Sequence, residues 1–419
     1  MEEYCECIGL IEHQYLTEEH QKRIRDLGIT FIETPYEGAP KYLGLLPSMQ
    51  ASYFVGVDWL DKGLFIKVMP KVSNLDYMRM WASALNFRLS SSYLSKFYGM
   101  DFSKPCIEIP VENDLLTPIL IMQFIRSVDL LLEYKLKSGY VARQENLHCR
   151  MKGRIMMGRQ IVTNVSQMRK LDVWCEFEEF SIDIVENRFL KRALIFSKRY
   201  LKSIWPDSYR YIGNGIYLGL KRCLAAFDGV GDNVSLSEIK TQRLGKLFRH
   251  YKEPIRLAKA ILRRFGNTLD ECSSDKIKVP PYWIDMSRLF EVYVYEKLQT
   301  AFTGQIDFQI EGYGGSVLDF FKKDELLIID SKYKPGYEDE SDSSAIIHDV
   351  RQLSGYSCDV KIRNSMAIKD NEVLDMVVIY PAERKCEGID NSRPFKEQCK
   401  EVGGFIRFWK FGINIPLRR

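Results

Sequence analysis

Four consecutive apolar residues, Leu326 to Ile329, run straight into Asp330-Ser331-Lys332. A short apolar run with polar borders reads as a strand buried on both faces, which requires neighbouring strands and a covering layer on each side. Upstream, Val317 to Phe321 is a second strand-like segment carrying Asp319, and only the polar stretch Lys322 to Glu325 separates the two. The pair reads as a hairpin inside a compact α/β or α+β domain. An acid closing a buried strand is costly unless it is paired or bound to a metal. Strand alternation puts Lys332 on the face of Asp330, with Ser331 opposite. Downstream, Gln352 and Tyr356 are spaced to share one face of a helix.

The order acid, turn, acid-x-lysine, then Gln-x-x-x-Tyr suits phosphodiester cleavage. That reaction needs a hydroxide at neutral pH, compensation of charge at phosphorus and a stabilised leaving oxygen. A hard divalent cation held by one or two carboxylates can supply much of this. Asp319 and Asp330 are the expected pair for Mg²⁺, with Mn²⁺ as the alternative, and Ser331 contributes at most its backbone carbonyl to the metal. Lys332 can reach the attacking water or the scissile phosphate. Gln352 and Tyr356 can hydrogen-bond the lysine, a water or a phosphate, and Glu291 on a preceding helix can add a further carboxylate. A lone Asp-x-Lys is usually surface decoration and Gln-x-x-x-Tyr alone carries almost no information. The combination and its order point to a nuclease-type site.

The rest of the chain reads as an α+β multidomain protein in three parts: a strand-rich segment 1–112, a mainly helical middle region 113–275, and an α/β domain 276–419. In the first, Gly28 to Glu33, Ala51 to Val57 and Gly63 to Met69 are predicted strands. Thr17 to Leu27 is a charged helix, and a helix through Met78 to Leu85 is capped by Asn74 or Asp76. In the middle, Ile119 to Leu136 is an amphipathic helix with Pro118 ahead of it, Lys135 and Lys137 in its last turn and Gly139-Tyr140 ending it. Further helices begin at Glu186 and run over Ser237 to Phe265, interrupted at Pro254, and Asn267 to Lys276 is a linker. In the last part helices are expected at Ile284 to Leu298 and Ala345 to Cys358. Strands are expected at Ile306 to Ile310, Val373 to Tyr380 and Phe405 to Phe411.

At 419 residues the chain exceeds one ordinary core. Its 46% hydrophobic and 28% charged residues describe a globular protein, and a net charge of +4 permits nucleic-acid binding without arguing for it. The ten cysteines form no Cys-x-x-Cys pair, which excludes a zinc ribbon. The N-terminus has no apolar signal core, and the best membrane candidate, Leu115 to Leu132, contains Arg126 and Asp129. A cytoplasmic protein with reduced thiols and no membrane association is expected. Lys240 to Arg264 carries many lysines and arginines between apolar residues. It reads as the solvated face of a core helix, with a DNA-backbone face as the alternative. His348 is either a phosphate contact or an ordinary helix histidine, and His148, Cys149 and Cys175 make a poor metal site.

These residues resemble the PD-(D/E)XK nuclease superfamily in the branch that carries Gln-x-x-x-Tyr. Asp330-Ser-Lys-Tyr-Lys and Asp349-Val-Arg-Gln-Leu-Ser-Gly-Tyr356 further resemble the C-terminal domain of the McrC family, the nuclease subunits of McrBC-type modification-dependent restriction systems. The same is true of Met69 to Asp76, Gly139 to Asn146, Met151 to Arg154 and Glu179 to Arg188. The resemblance implies a restriction-endonuclease-like domain at 276–419, with Asp319, Asp330 and Lys332 as the catalytic core and Gln352 and Tyr356 in support. Leu318 stands where proline usually precedes the first acid, and Ser331 replaces a frequent alanine. The resemblance also implies duplex DNA as substrate and a McrB-like AAA+ GTPase ring that the chain stimulates, with segment 1–112 the candidate ring contact. Dimerisation of nuclease domains is a further option. The chain contains no Gly-x-x-x-x-Gly-Lys-Ser/Thr loop, so the motor would be another polypeptide. The rival readings are a non-catalytic scaffold that activates the GTPase and binds DNA, and a free-standing repair nuclease.

Overall fold

The computed structural model describes residues 6–29, 40–72, 75–85, 97–110, 113–204, 214–235, 238–239, 246–264, 276–334, 337, 343–382 and 386–417. The chain folds into two compact units, Met1–Ile109 with Lys278–Arg419, and Pro110–Ile277. The outer two of the three sequence segments thus belong to one unit. Most of the strand predicted at Gly28 to Glu33 lies outside the described residues, as do Asn74 and most of the linker expected at Asn267 to Lys276.

The first unit opens with β1 (Glu6–Ile11) and α1 (Glu18–Asp26). Thr17 caps that helix by accepting from the His20 amide, and glutamates in the first turn and arginines in the last suit its dipole. Strands β2 (Phe54–Asp61) and β3 (Leu64–Met69) form an antiparallel hairpin, and β1 joins β3 in parallel. Helix α2 (Tyr77–Leu85) follows Asp76, whose carboxylate accepts from the Arg79 amide, so Asp76 is its cap. The sheet is completed by β4 (Tyr98–Met100) and by β10 (Tyr282–Asp285), a strand from beyond the middle region, in the order β1-β3-β2-β10-β4; the short strands β5 (Ile107–Pro110) and β9 (Lys276–Val279) fall at the two sequence borders of the middle region. Sequence reading started a helix at Ile284. Here Tyr282 to Asp285 is strand, and α7 (Met286–Ala301) begins after it because the Asp285 carboxylate caps the Arg288 amide.

The β2–β10 seam depends on Gly56. Its φ of +144° is one that L side chains rarely adopt, and a Cβ there would lie 2.1 Å from the Tyr282 carbonyl oxygen. Gly56→Ala is therefore expected to destabilise the protein by about 2 kcal/mol or more, seen as a lower melting temperature.

The second sheet of this unit has the order β11-β12-β13-β14-β16-β15: β11 (Ile306–Glu311), β12 (Val317–Lys322), β13 (Leu327–Ser331), β14 (Asp375–Ala382), β15 (Lys400–Glu401) and β16 (Phe408–Asn414). Strands β11, β12 and β13 pair antiparallel, while β13, β14 and β16 run parallel. Leu327, Ile328 and Ile329 are fully buried, as an inner strand covered on both faces requires. On one face Tyr295 of α7 stacks on Phe308, and Phe308 on Phe320. On the other, Leu353 and Tyr356 of α8 (Ser343–Ser357) join Phe321 and Ile328 in one core.

In the second unit, α3 (Leu116–Leu131) is buried nearly all round and packs with α4 (Val185–Ile204), α5 (Asn214–Ala226) and α6 (Lys252–Arg264). It starts before Pro118, which sits in its first turn, and ends at Leu131. Lys135 and Lys137 therefore lie past the helix end, and the Lys137 ammonium instead meets Glu186 at 2.5 Å. Gly139-Tyr140 opens β6 (Gly139–His148), which pairs along its length with β8 (Asp172–Ser181), and β8 also pairs with β7 (Arg154–Ile155). The mainly helical reading of the middle missed this sheet. Its strands bury little beyond Leu147, Cys175 and Phe177 and are tied by polar cross-strand pairs such as Arg143–Glu179 and Gln144–Glu176, so no apolar alternation marks them. Pro254 lies in the first turn of α6, where a proline is tolerated, and does not interrupt it.

Candidate active site

The register of the second sheet brings the site together. One step beyond the Phe320–Ile329 pair, Asp319 falls opposite Asp330, and residues opposite one another in an antiparallel pair project from the same face. The same register sets Gln309 opposite Asp319, between the Phe308–Phe320 and Ile310–Leu318 pairs. Lys332 lies just past the end of β13, with its Nζ 2.6 Å from Asp330 Oδ2. It also donates to Gln352 Oε1 at 2.9 Å, and Gln352 Nε2 donates to the Tyr356 hydroxyl at 2.9 Å. Ser331 gives its N–H and its hydroxyl to Asp319 Oδ2, at 2.8 and 2.7 Å. Glu291 on α7 is buried and accepts from the Gln309 side chain.

Electrostatics follow from burial and from the closeness of three acids. Burial and the charge of Asp330 push Asp319 up to about 7, against the pull of its Ser331 hydrogen bonds and of Lys332. Burial raises Asp330 while Lys332 draws it down. Glu291 stands well above the usual range, first through burial and then through the charge of Asp319. Burial works to lower Lys332, but the Asp330 charge and contact outweigh it and hold the ammonium above the ordinary lysine value.

This donor set is entirely hard oxygen, and its mutual repulsion is what a divalent cation would relieve. Among the described residues no three histidine, cysteine or acidic side chains converge closely enough to cage a metal by themselves. Two carboxylates with water completing the shell is the habit of Mg²⁺, so Asp319 and Asp330 fit that ion. The side chain and amide of Ser331 are spent on Asp319, which leaves only its carbonyl for such a role.

Several residues here escaped the sequence reading. Gln309 has a φ of +56°, a strained value for a residue with a side chain, and it orients Glu291. Asp349 is 1% exposed, receives the Tyr337 hydroxyl and lies 3.4 Å from Lys334 Nζ. Its charge adds to the field at Asp330 and Lys332. Asp349, Gln352 and Tyr356 are spaced along one face of α8, so helical spacing extended one turn back from Gln352 would have found it. The exposed ring of His348 lies against Asp349. His148 pairs with Asp172 at 2.7 Å. Of the basic stretch, Lys240 and Arg243 lie outside the described residues. On α6 the apolar residues Ile255, Leu257, Ile261 and Leu262 are core, and Arg256 is paired with Glu253.

The sequence model of the family described as McrBC 5-methylcytosine restriction system component matches residues 49–381. The chain belongs to this family. The McrC-type motifs of the last third lie largely within the matched span. Among solved structures, a chain in a half-complex from a tetradecameric assembly of Thermococcus gammatolerans McrB AAA+ hexamers with bound McrC is similar at 16% identity and a TM-score of 0.41, over 98% of this chain and 95% of that one. A chain of the Thermococcus gammatolerans McrBC complex is similar at 17% identity and a TM-score of 0.31, over 71% and 88%. No curated protein matches this McrBC family member significantly. Among its described residues no helix is long and apolar enough to cross a membrane.

Proposed function

We propose that this McrBC family member is the Mg²⁺-dependent DNA endonuclease subunit of a McrBC-like restriction system, with a restriction-endonuclease-like domain at its C-terminal end. The observation that carries the reading is the half-buried Asp319 brought opposite the buried Asp330 by the β12–β13 hairpin, with the Lys332 ammonium against Asp330. A metal ion held by Asp319 and Asp330 would supply Lewis-acid activation of water and charge compensation at phosphorus. The chain's own groups do the rest. Lys332 presents a fixed positive charge to the scissile phosphate. Gln352 holds that ammonium with its carbonyl oxygen while its amide donates to Tyr356, so the Tyr356 hydroxyl proton remains available for a phosphate or water. Glu291, steadied by Gln309, is a further carboxyl whose charged form a bound cation would favour.

Gln352→Ala would release both Lys332 and Tyr356. The expected result is a roughly tenfold slower cleavage rate, the worth of one hydrogen bond to a charged group, measured by steady-state cleavage of duplex DNA.

The partner in this reading is a McrB-like AAA+ GTPase ring whose hydrolysis the chain stimulates. Assembly with McrB hexamers is described for the similar Thermococcus gammatolerans chain. Besides segment 1–112, a candidate contact is the stretch 151–171, which exposes Met151, Met157, Val162, Val165, Met168 and Leu171, since exposed apolar residues in number mark interaction surfaces. The test incubates the protein with duplex DNA, Mg²⁺, the ring partner and GTP. Cleavage that stops on chelation is expected. Cleavage without a partner would favour the free-standing nuclease, and stimulated GTP hydrolysis without cleavage would favour the scaffold.

A further inference from the structure

The parallel strands β1 and β3 of the first sheet each run on into a charged residue, Glu12 and Lys71. The two are locked together: the Glu12 amide donates to the Met69 carbonyl at 3.0 Å, and the Lys71 amide to Glu12 Oε2 at 2.9 Å. Both side chains close on Tyr333, the residue after Lys332. The Lys71 ammonium donates to the Tyr333 carbonyl at 2.6 Å and lies 3.7 Å from the centre of its ring. The Tyr333 hydroxyl reaches Glu12 Oε2 at 3.4 Å, and its buried ring packs 5.6 Å from Phe290 of α7.

The location matters because the sheet ladder ends there. The Lys332 amide makes the last bond to the strand neighbour, to Ile379 at 2.9 Å, and the Lys332 carbonyl is taken by the Lys334 amide at 2.7 Å in a tight local turn. Past that point the Tyr333 carbonyl is held by the side chain of Lys71, just beyond β3 of the first sheet. We infer that Lys71 is a positioning residue for Lys332: by gripping the Tyr333 carbonyl it fixes the backbone from which the Lys332 side chain reaches Asp330, while Glu12 holds the Lys71 amide and the Tyr333 hydroxyl. This rests on the reading of Lys332 as part of a DNA-cleaving site.

The clamp is not the cheapest way to join the two sheets. Glu12 is 4% exposed, and its Oε1 has no hydrogen-bond partner among the described residues. Burial pushes Glu12 up to about 7 and Lys71 down to about 8. A well-packed apolar pair would hold two layers together at no such cost. What an apolar pair cannot do is bind a main-chain carbonyl and so set the direction of one peptide.

The test compares wild type, Lys71→Met and Lys71→Arg in two assays. In DNA cleavage with Mg²⁺, the ring partner and GTP, Lys71→Met is expected to lower kcat roughly tenfold with KM for DNA and GTPase stimulation unchanged. Lys71→Arg, which can still donate to the carbonyl, should recover most of the rate. In amide hydrogen exchange of the free protein, Lys71→Met should lose protection at residues 332–334 while β12 and β14 keep theirs. Unchanged exchange at 332–334 overturns the clamp, whatever the cleavage result. A loss that appears in KM, or that Lys71→Arg fails to restore while melting is lowered alike in both variants, overturns the positioning role. Wild-type protein that does not cleave, with exchange altered as expected, would sink the nuclease reading and leave the clamp standing.

Discussion

Asp330→Asn is expected to reduce DNA cleavage by about a thousandfold or more, a loss of roughly 4 kcal/mol of transition-state stabilisation. The fold is expected to survive. Asparagine keeps the shape of the side chain and its oxygen near Lys332, and removing the charge relieves the repulsion that Asp319 and Glu291 feel from Asp330. Lys332 retains Gln352 as an acceptor and the nearby charges of Asp319 and Asp349. Melting temperature and GTPase stimulation should therefore stay close to wild type while cleavage disappears. Equal cleavage by both proteins would sink the site assignment. A collapse of melting temperature with the loss of activity would mean that Asp330 serves the fold before it serves chemistry.

The metal-free protein is expected to lose stability as pH rises from about 4 to about 7. An unfolded aspartate releases its proton near an ordinary value of about 3.9, whereas Asp319 in the fold holds it until about 7. Between those values the native state binds the extra proton, so stability falls with increasing pH and levels off above 7. Glu12, also raised to about 7, acts in the same direction over the same window. Asp183 has the opposite sign. Arg188 is the largest influence holding it down to about 2, so its contribution is lost only as pH falls through that value. Across the whole window the loss due to Asp319 is on the order of a few kcal/mol. Mg²⁺ should raise the melting temperature at pH 8, where the carboxylates are charged, and have little effect at pH 5. Asp319→Asn should flatten both the pH slope and the Mg²⁺ response. A melting temperature that climbs from pH 5 to pH 8 without metal would contradict the assignment of these raised carboxyls.

Much of this site was legible because its logic is local. The hairpin turn at Lys322 to Glu325, the apolar run before Asp330 and the helical spacing of Gln352 and Tyr356 each concern residues within one or two elements. Strand and helix periods alone say which side chains share a face. The outcome is seen in the direct chain of contacts from Asp330 through Lys332 and Gln352 to Tyr356. Glu291 was reachable only as a guess about the preceding helix; in the fold it is buried, and its carboxyl feels the charges of Asp319 and Asp330.

What the sequence by itself determined is the order of chemistry-bearing residues along one hairpin and one helix, since spacing and polarity there admit few arrangements. What only the tertiary structure decided is everything that joins distant segments. Tyr282 to Asp285 is an inner strand of the first sheet because Gly56 lets its backbone come close. Glu12 and Lys71 grip Tyr333 from the opposite end of the chain. None of these leaves a periodic trace, because a contact between residues hundreds of positions apart is selected by packing and charge in three dimensions and not by the repeat of a strand or helix.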